Sequence, residues 1–217
     1  MAQRVACVVG VLGAPLTGKG LLAHRWIARP HPLKLVWSAV EKSDNYAGLL
    51  GVSPLTSIPA LSAALVGDAR AVVFVPSLDR DAMLIQFDKF CRVAWACDGA
   101  RVLVEELSRV TAPSWAPPAW KNLTTSGSHQ GLEVMATAQR PAQVDKDFLG
   151  SCTEIRCYRM NEKPDADRVC QTLIEATPAQ LMALPDRHYW HLWRSPRRVE
   201  QGIQPAPGEK KSRRRKA

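Results

Sequence analysis

Gly13, Gly18 and Lys19 stand at the spacing G-x-x-x-x-G-K, and that spacing suits one piece of chemistry. Glycines let successive backbone N–H groups turn toward an anion, the start of a helix adds partial positive charge, and a lysine after the second glycine reaches the outer phosphates. Gly13, Ala14, Pro15, Leu16, Thr17, Gly18, Lys19, Gly20 and Leu21 are read as a cradle for a nucleoside triphosphate. Position 20 departs from the pattern. Glycine stands where Ser or Thr would offer a hydroxyl to Mg2+, so the metal must be held through water, through Thr17 or from another segment.

A second pair of functional groups closes a short apolar run: Arg101, Val102, Leu103 and Val104 lead straight into Glu105 and Glu106. Two carboxylates beside a triphosphate divide the work, one holding Mg2+ and the other polarising the attacking water. Glu105 is assigned the metal and Glu106 the base. Gln139 ends another apolar run, 132–138, and offers a neutral polar group that can sense the γ-phosphate or hold the water.

The elements that must position these groups are legible from hydrophobic spacing. Residues 5–12 read as a strand buried on both faces, and Leu21, Leu22, Arg25 and Trp26 carry helical spacing after it. Further strands are expected at 33–37, 71–75, 101–104 and 132–138, with a short helix at 59–66. A longer helix should be capped by Ser77 and run through Met83, Phe87 and Phe90 to about Cys97. Alternating strand and helix predicts a parallel sheet with crossover helices, whose ligand chemistry gathers at the C-terminal strand ends. The acidic pair is then expected one strand over from the phosphate loop. Residues 111–120 (TAPSWAPPAW) are too rich in proline for a regular helix and read as an exposed connection, with Trp115 and Trp120 stacking on bases or packing at the domain edge.

Composition sets the frame. A chain of 217 residues with 46% hydrophobic content holds one substantial core, expected over 1–194. Six cysteines form no C-x-x-C pair and read as buried thiols rather than a metal site. Of the +9 net charge, residues 209–217 carry +5, which leaves +4 on the rest. No apolar run is long enough for a bilayer and no signal-peptide pattern opens the chain, so a soluble intracellular protein is expected. Late in the chain, 165–176 reads as helical, Thr177-Pro178 as a helix start, and 188–193 as an edge strand. From 195 to 217 too little apolar surface remains to fold, which predicts a disordered cationic arm that neutralises phosphates.

The order of these segments carries a resemblance. G-x-x-x-x-G-K, an apolar strand ending in Glu-Glu, Gly127-Ser128-His129-Gln130-Gly131, and then ATAQRPAQVDKDFLG resemble the FtsK–HerA group of DNA-translocating ATPases. The chain is most similar to the small DNA-packaging ATPases of viruses with an internal membrane, over residues 5–160. The resemblance implies a RecA-like P-loop NTPase core, an α/β fold with a mostly parallel twisted sheet. It also implies assembly into a ring, often a homohexamer, around double-stranded DNA, with ATP and Mg2+ between subunits. Host cytoplasm or the packaging vertex of a virion would be its place, and capsid-vertex or viral membrane proteins its docking partners.

Such sites take an arginine from the neighbouring subunit. Where many members carry it, three residues before the glycine that opens the fifth strand, this chain has Ser128. Arg140, Arg109 or Arg80 is left to serve, with Arg140 favoured because its neighbour Gln139 fits the family pattern. Gly20 and Ser128 both touch the machinery of turnover, whereas Lys19, Glu105, Glu106 and Gln139 are kept. The expected function is ATP hydrolysis coupled to DNA translocation, packaging a viral genome into a capsid. Its alternative is a nucleotide-binding assembly or extrusion factor without DNA-stimulated hydrolysis. A small-molecule kinase would need a lid with paired arginines.

Overall fold

The computed structural model describes residues 7–39 and 45–206. Its centre is an eight-stranded sheet in the order β3-β2-β4-β5-β1-β6-β7-β8. The strands are β1 (Cys7–Leu12), β2 (Lys34–Trp37), β3 (Ala71–Phe74), β4 (Arg101–Val104), β5 (Glu133–Ala138), β6 (Glu154–Tyr158), β7 (His188–Arg194) and β8 (Arg197–Ile203). The first six run parallel. β7 and β8 pair antiparallel as a hairpin on β6.

Helices cover both faces. On one face lie α1 (Lys19–Ala28) and α2 (Tyr46–Leu50), where Ala23, Trp26, Ile27 and Tyr46 pack on Val9, Val11, Val36 and Leu103. The other face carries α3 (Ile58–Val66), α4 (Arg80–Trp95), α5 (Pro118–Ser126), α6 (Lys146–Ser151), α7 (Lys163–Cys170) and α8 (Pro178–Met182). With both faces covered, the inner strands are mostly apolar; all four residues of β4 are buried, its one charged member, Arg101, paired with Glu133 at 2.7 Å. A row of rings stiffens the larger core: Trp37 stacks on Phe74 at 5.5 Å, Phe87 meets Trp37 at 5.0 Å, and Trp120 links Phe87 (5.6 Å) to Phe148 (5.4 Å). Each such pair adds about 0.5–1.5 kcal/mol beyond its burial.

Several expectations are corrected. The acidic pair is not one strand over from the phosphate loop, because β5 runs between β1 and β4. α4 is capped by Asp79, whose carboxylate accepts from Ala82 N at 2.9 Å, and not by Ser77, whose hydroxyl instead accepts from Asp79 N. The proline-rich connection gives way to α5, with Pro118 at its first turn, where a missing N–H costs nothing. Trp120 is wholly buried, its indole N–H directed at Asp145, so it cannot stack on a base; Trp115 is about half exposed. Three of the six thiols (Cys91, Cys152, Cys157) are buried and three are half-buried, all free.

The largest correction concerns the C-terminus. β7 is not an edge strand, and residues 197–203 do not stay unfolded: they pair along β7 from Arg194↔Arg197 to His188↔Ile203. The cationic run 209–217 lies outside the described residues. The capped start at Thr177 holds as a full capping box with Gln180. No helix among the described residues is long and apolar enough to cross a membrane.

Candidate nucleotide site

The chain leaves β1 at Leu12 and turns at Gly13, where φ is +153° and an added Cβ would lie 2.8 Å from Tyr158 Cβ. Gly18 has φ +114°, and a Cβ there would meet Tyr158 Cε1 at 3.2 Å. Both glycines answer to one fully buried residue, Gly13 to the Tyr158 backbone and Cβ and Gly18 to its ring. The loop is also fastened through its backbone. Gly13 N donates to Ala138 O of β5 at 3.1 Å, Ala14 N to Arg159 O at 2.8 Å, and Arg187 N to Thr17 O at 3.0 Å. α1 follows at once, so the unpaired N–H groups of its first turn open beside Gly18.

Lys19 is 8% exposed, and its Nζ donates to Ala14 O at 2.7 Å. Burial pulls its pKa down to about 8, with the Glu106 and then the Glu105 carboxylate working against the shift. The lysine is thus folded over its own loop, beside two negative groups.

Those groups leave β4 in different directions. Glu105 N donates to Trp37 O at 2.9 Å, and its carboxylate accepts from Tyr46 Oη at 2.6 Å and Ser38 Oγ at 3.3 Å. Glu106 has φ +53°, a left-handed conformation that costs a non-glycine residue about 1 kcal/mol or more. It is held there by its N–H to Thr137 Oγ1 (3.2 Å) and by Gln139 N, which donates to Glu106 Oε1 at 2.9 Å. Burial raises the Glu106 pKa, opposed by the Gln139 hydrogen bonds and by Lys19. A buried carboxyl shifted upward is a better proton acceptor than an exposed one.

Lys19, Gly20, Leu21, Glu105, Glu106 and Gln139 line one cleft of about 430 Å³, with Pro15, Leu16, Gly18 and Thr137 completing the wall. β5 between β1 and β4 explains Gln139: it emerges between the phosphate loop and the carboxylates. Gly13, Ala14 and Thr17 lie behind the surface, buried. Arg140 is not in this cleft; its Nε pairs with Asp165 at 2.7 Å, and buried Asp165 also accepts from Ala142 N at 2.9 Å.

Magnesium on a triphosphate takes oxygen ligands, keeps several waters and asks for one or two carboxylates. The Glu105 and Glu106 pair meets that demand. Thr17 does not add to it, since its hydroxyl, 1% exposed, donates to Ala14 O at 2.7 Å. Sequence reasoning missed Tyr158, Ser38, Tyr46, Thr137 and Gln204. Ser38 follows β2 directly, so the strand-end rule that found Glu105 would have reached it. Tyr158 and Gln204 had no such signal: Gln204 Oε1 accepts from Tyr158 Oη and Arg156 Nη1, each at 3.3 Å, and Gln204 N donates to Arg187 O at 2.8 Å. Residues from the far end of the chain thereby back the phosphate loop.

No protein-family model matches the chain. Protein P9 of Pseudoalteromonas phage PM2 is 30% identical over 79 residues, a match that spans 35% of this chain and 36% of that protein. Among solved structures, B204, the DNA-packaging ATPase from Sulfolobus turreted icosahedral virus, aligns with TM-score 0.74 at 14% identity over 95% of this chain and 100% of that one. The genome packaging NTPase B204 from Sulfolobus turreted icosahedral virus 2 in complex with ATP-gammaS gives 0.73 at 13% identity, over 95% and 100%. VirB4 of Thermoanaerobacter pseudethanolicus gives 0.70 at 10% identity, over 95% and 92%. The phosphate loop, the parallel sheet and these neighbours agree: the chain has the P-loop NTPase fold, and the resemblance drawn from its motifs is met by viral genome-packaging NTPases as structural neighbours.

Proposed function

We propose that the chain hydrolyses ATP and couples the reaction to movement of double-stranded DNA into a viral capsid. The observation that carries this reading is the convergence of Lys19, Glu105, Glu106 and Gln139 on one cleft at the C-terminal edge of the sheet. In this mechanism Lys19 exchanges the Ala14 carbonyl for phosphate oxygens as the triphosphate enters. Glu105, oriented by Tyr46 and Ser38, holds Mg2+. When bound, the ion would offset the charge of the phosphate oxygens. Glu106 takes the proton of the attacking water, and the Gln139 backbone fixes that carboxylate while its side chain reaches the water.

An arginine from a neighbouring copy completes the charge balance. Arg140 fits the role, since its bond to Asp165 runs through Nε and leaves the terminal guanidinium nitrogens for another partner. This implies a ring of copies, a hexamer in our reading, with the described chain as one ATPase domain and the run 209–217 as a cationic arm that contacts DNA phosphates. Action at the packaging vertex of a virion follows from the same reading. The test is the ATP hydrolysis rate with and without duplex DNA, for the parent protein and Lys19→Ala. DNA should raise the parent rate and the substitution should abolish it. Hydrolysis that ignores both DNA and the loss of Lys19 overturns the proposal, and nucleotide binding without hydrolysis favours an assembly factor instead.

A further inference from the structure

A second cleft, of about 480 Å³, opens at the same edge of the sheet on the far side of the acidic pair. Arg80, Arg109, Ser108, Thr111 and Gln143 supply its polar lining, and Leu78, 82% exposed, stands at its rim. Among the described residues, no acidic side chain lines it. Asp79 and Asp81 open α4 beside Arg80, but neither faces into the cleft, and the Asp79 carboxylate is taken by Ala82 N. Two guanidiniums with hydroxyl and amide groups around an open space suit a phosphate oxyanion.

Its walls are the continuation of the nucleotide site. Past Glu106 the chain makes a single 3-10 turn, Leu107–Arg109, which puts Ser108 and Arg109 on the second cleft. Beyond Gln139 and Arg140 a like turn, Pro141–Gln143, does the same for Gln143. The first turn is closed by Arg109 N to Glu106 O at 2.9 Å and Val110 N to Leu107 O at 3.0 Å, the second by Gln143 N to Arg140 O at 2.9 Å and Val144 N to Pro141 O at 3.2 Å. The two walls are joined where Gln139 N meets the Glu106 carboxylate. A ligand drawing Arg109 and Gln143 together therefore acts on the groups that hold the attacking water.

We propose that this cleft binds a backbone phosphate of the polynucleotide and transmits its presence to Glu106 and Gln139 through the two turns. The proposal rests on the DNA-motor reading and deepens it by placing the contact that stimulates hydrolysis. The cleft exceeds a phosphate in size, leaving room for the sugars on either side. Arg80 has a free path to it from the exposed first turn of α4, whereas one Arg109 nitrogen is already held by Ala39 O at 3.0 Å, so Arg109 acts as the fixed side and Arg80 as the closing one.

The test uses the full chain, a short fluorescein-labelled DNA duplex, and the variants Gln143→Glu and Arg80→Glu, both at exposed positions where the fold tolerates charge. Each should weaken duplex binding by roughly tenfold, as loss of an arginine–phosphate contact does, and Arg80→Ala should lower the salt slope of binding by about 1. DNA stimulation of hydrolysis should disappear in both charge variants, while Gln143→Glu keeps the DNA-free rate. Unchanged duplex affinity in the variants, with the parent still stimulated by DNA, overturns the cleft and leaves the motor reading standing. Intact DNA affinity with a collapsed DNA-free rate overturns it too, in favour of a receptor for a neighbouring copy's nucleotide. A parent protein that ignores DNA altogether overturns both.

Discussion

The two ends of the sheet are built on different terms. From β3 to β6 the strands are parallel, covered on both faces and almost wholly apolar, and their C-terminal ends deliver Glu105, Glu106 and Gln139 to one cleft. The β7–β8 hairpin is antiparallel and polar, its last strand exposed at five of seven positions. It keeps its shape through cross-strand pairs and rings: Arg156 lies over Tyr189 at 4.3 Å, Arg198 over Trp193 at 4.0 Å, and His191 accepts from Arg156 at Nδ1 and donates from Nε2 to Glu154. Yet this polar end reaches the loop 13–18 at the parallel end through Gln204, Tyr158 and Arg187. The proposed nucleotide site at the parallel end is therefore braced by a segment that lends it no side chain.

The hardest test of that dependence is deletion. A chain ending at Arg194 loses β8 and Gln204, and should lose nucleotide affinity and cooperative unfolding together, as followed by a fluorescent ATP analogue and thermal melts. One ending at Ala206 should bind nucleotide like the parent. If the shorter chain binds equally well, the hairpin is ornamental and the comparison fails.

Next in size is Gly13→Ala. Its Cβ would press on the Tyr158 backbone and Cβ at a φ few L-residues adopt, a strain of about 1–3 kcal/mol that should raise the nucleotide Kd by roughly five- to a hundredfold. A smaller effect sharpens the link to the far end. Tyr158→Phe keeps the ring under Gly13 and Gly18 but removes the hydroxyl bonded to Gln204, and a hydrogen bond worth about 1 kcal/mol predicts a several-fold rise in nucleotide Kd with little change in kcat. Gly20→Ser should be the mildest, because nothing lies within 4 Å of its added Cβ. It supplies the missing hydroxyl and should lower the Mg2+ concentration needed for half-maximal hydrolysis, leaving the melting temperature equal or slightly higher.

Much of the parallel end was legible. Continuous apolar runs of four to six residues named its strands because burial on both faces leaves no polar positions, and the loop motif is local in sequence. The strand order was not legible, since no residue in β5 announces that it inserts between β1 and β4. Asp79 and Ser77 are both good caps two positions apart, and only the geometry of the turn chooses. α5 had a readable signal, Pro118 followed by Ala119, Trp120, Leu123 and Thr124 at helical spacing, which the prolines before it masked. β8 has one inward aliphatic, Val199, between charged residues, and strands held by pairing rather than burial leave little pattern to read.

Charge makes a further prediction. In the proposed mechanism hydrolysis needs Glu106 ionised and Lys19 protonated, so the pH profile of kcat/KM, which reports the nucleotide-free protein, should show an acid limb displaced upward from 4.5 and a basic limb near 8. Stability runs the other way on the basic side. The folded chain releases the Lys19 proton near 8 while the unfolded chain keeps it to about 10.5, so between those values rising pH should favour the folded state even as nucleotide binding weakens.

The central claim, that Glu106 draws the proton from water at a triphosphate held by Lys19, is tested most directly by Glu106→Gln in a single-turnover assay. ATP should bind at parent affinity and its cleavage should slow by about a hundredfold or more. Cleavage at the parent rate would contradict the account.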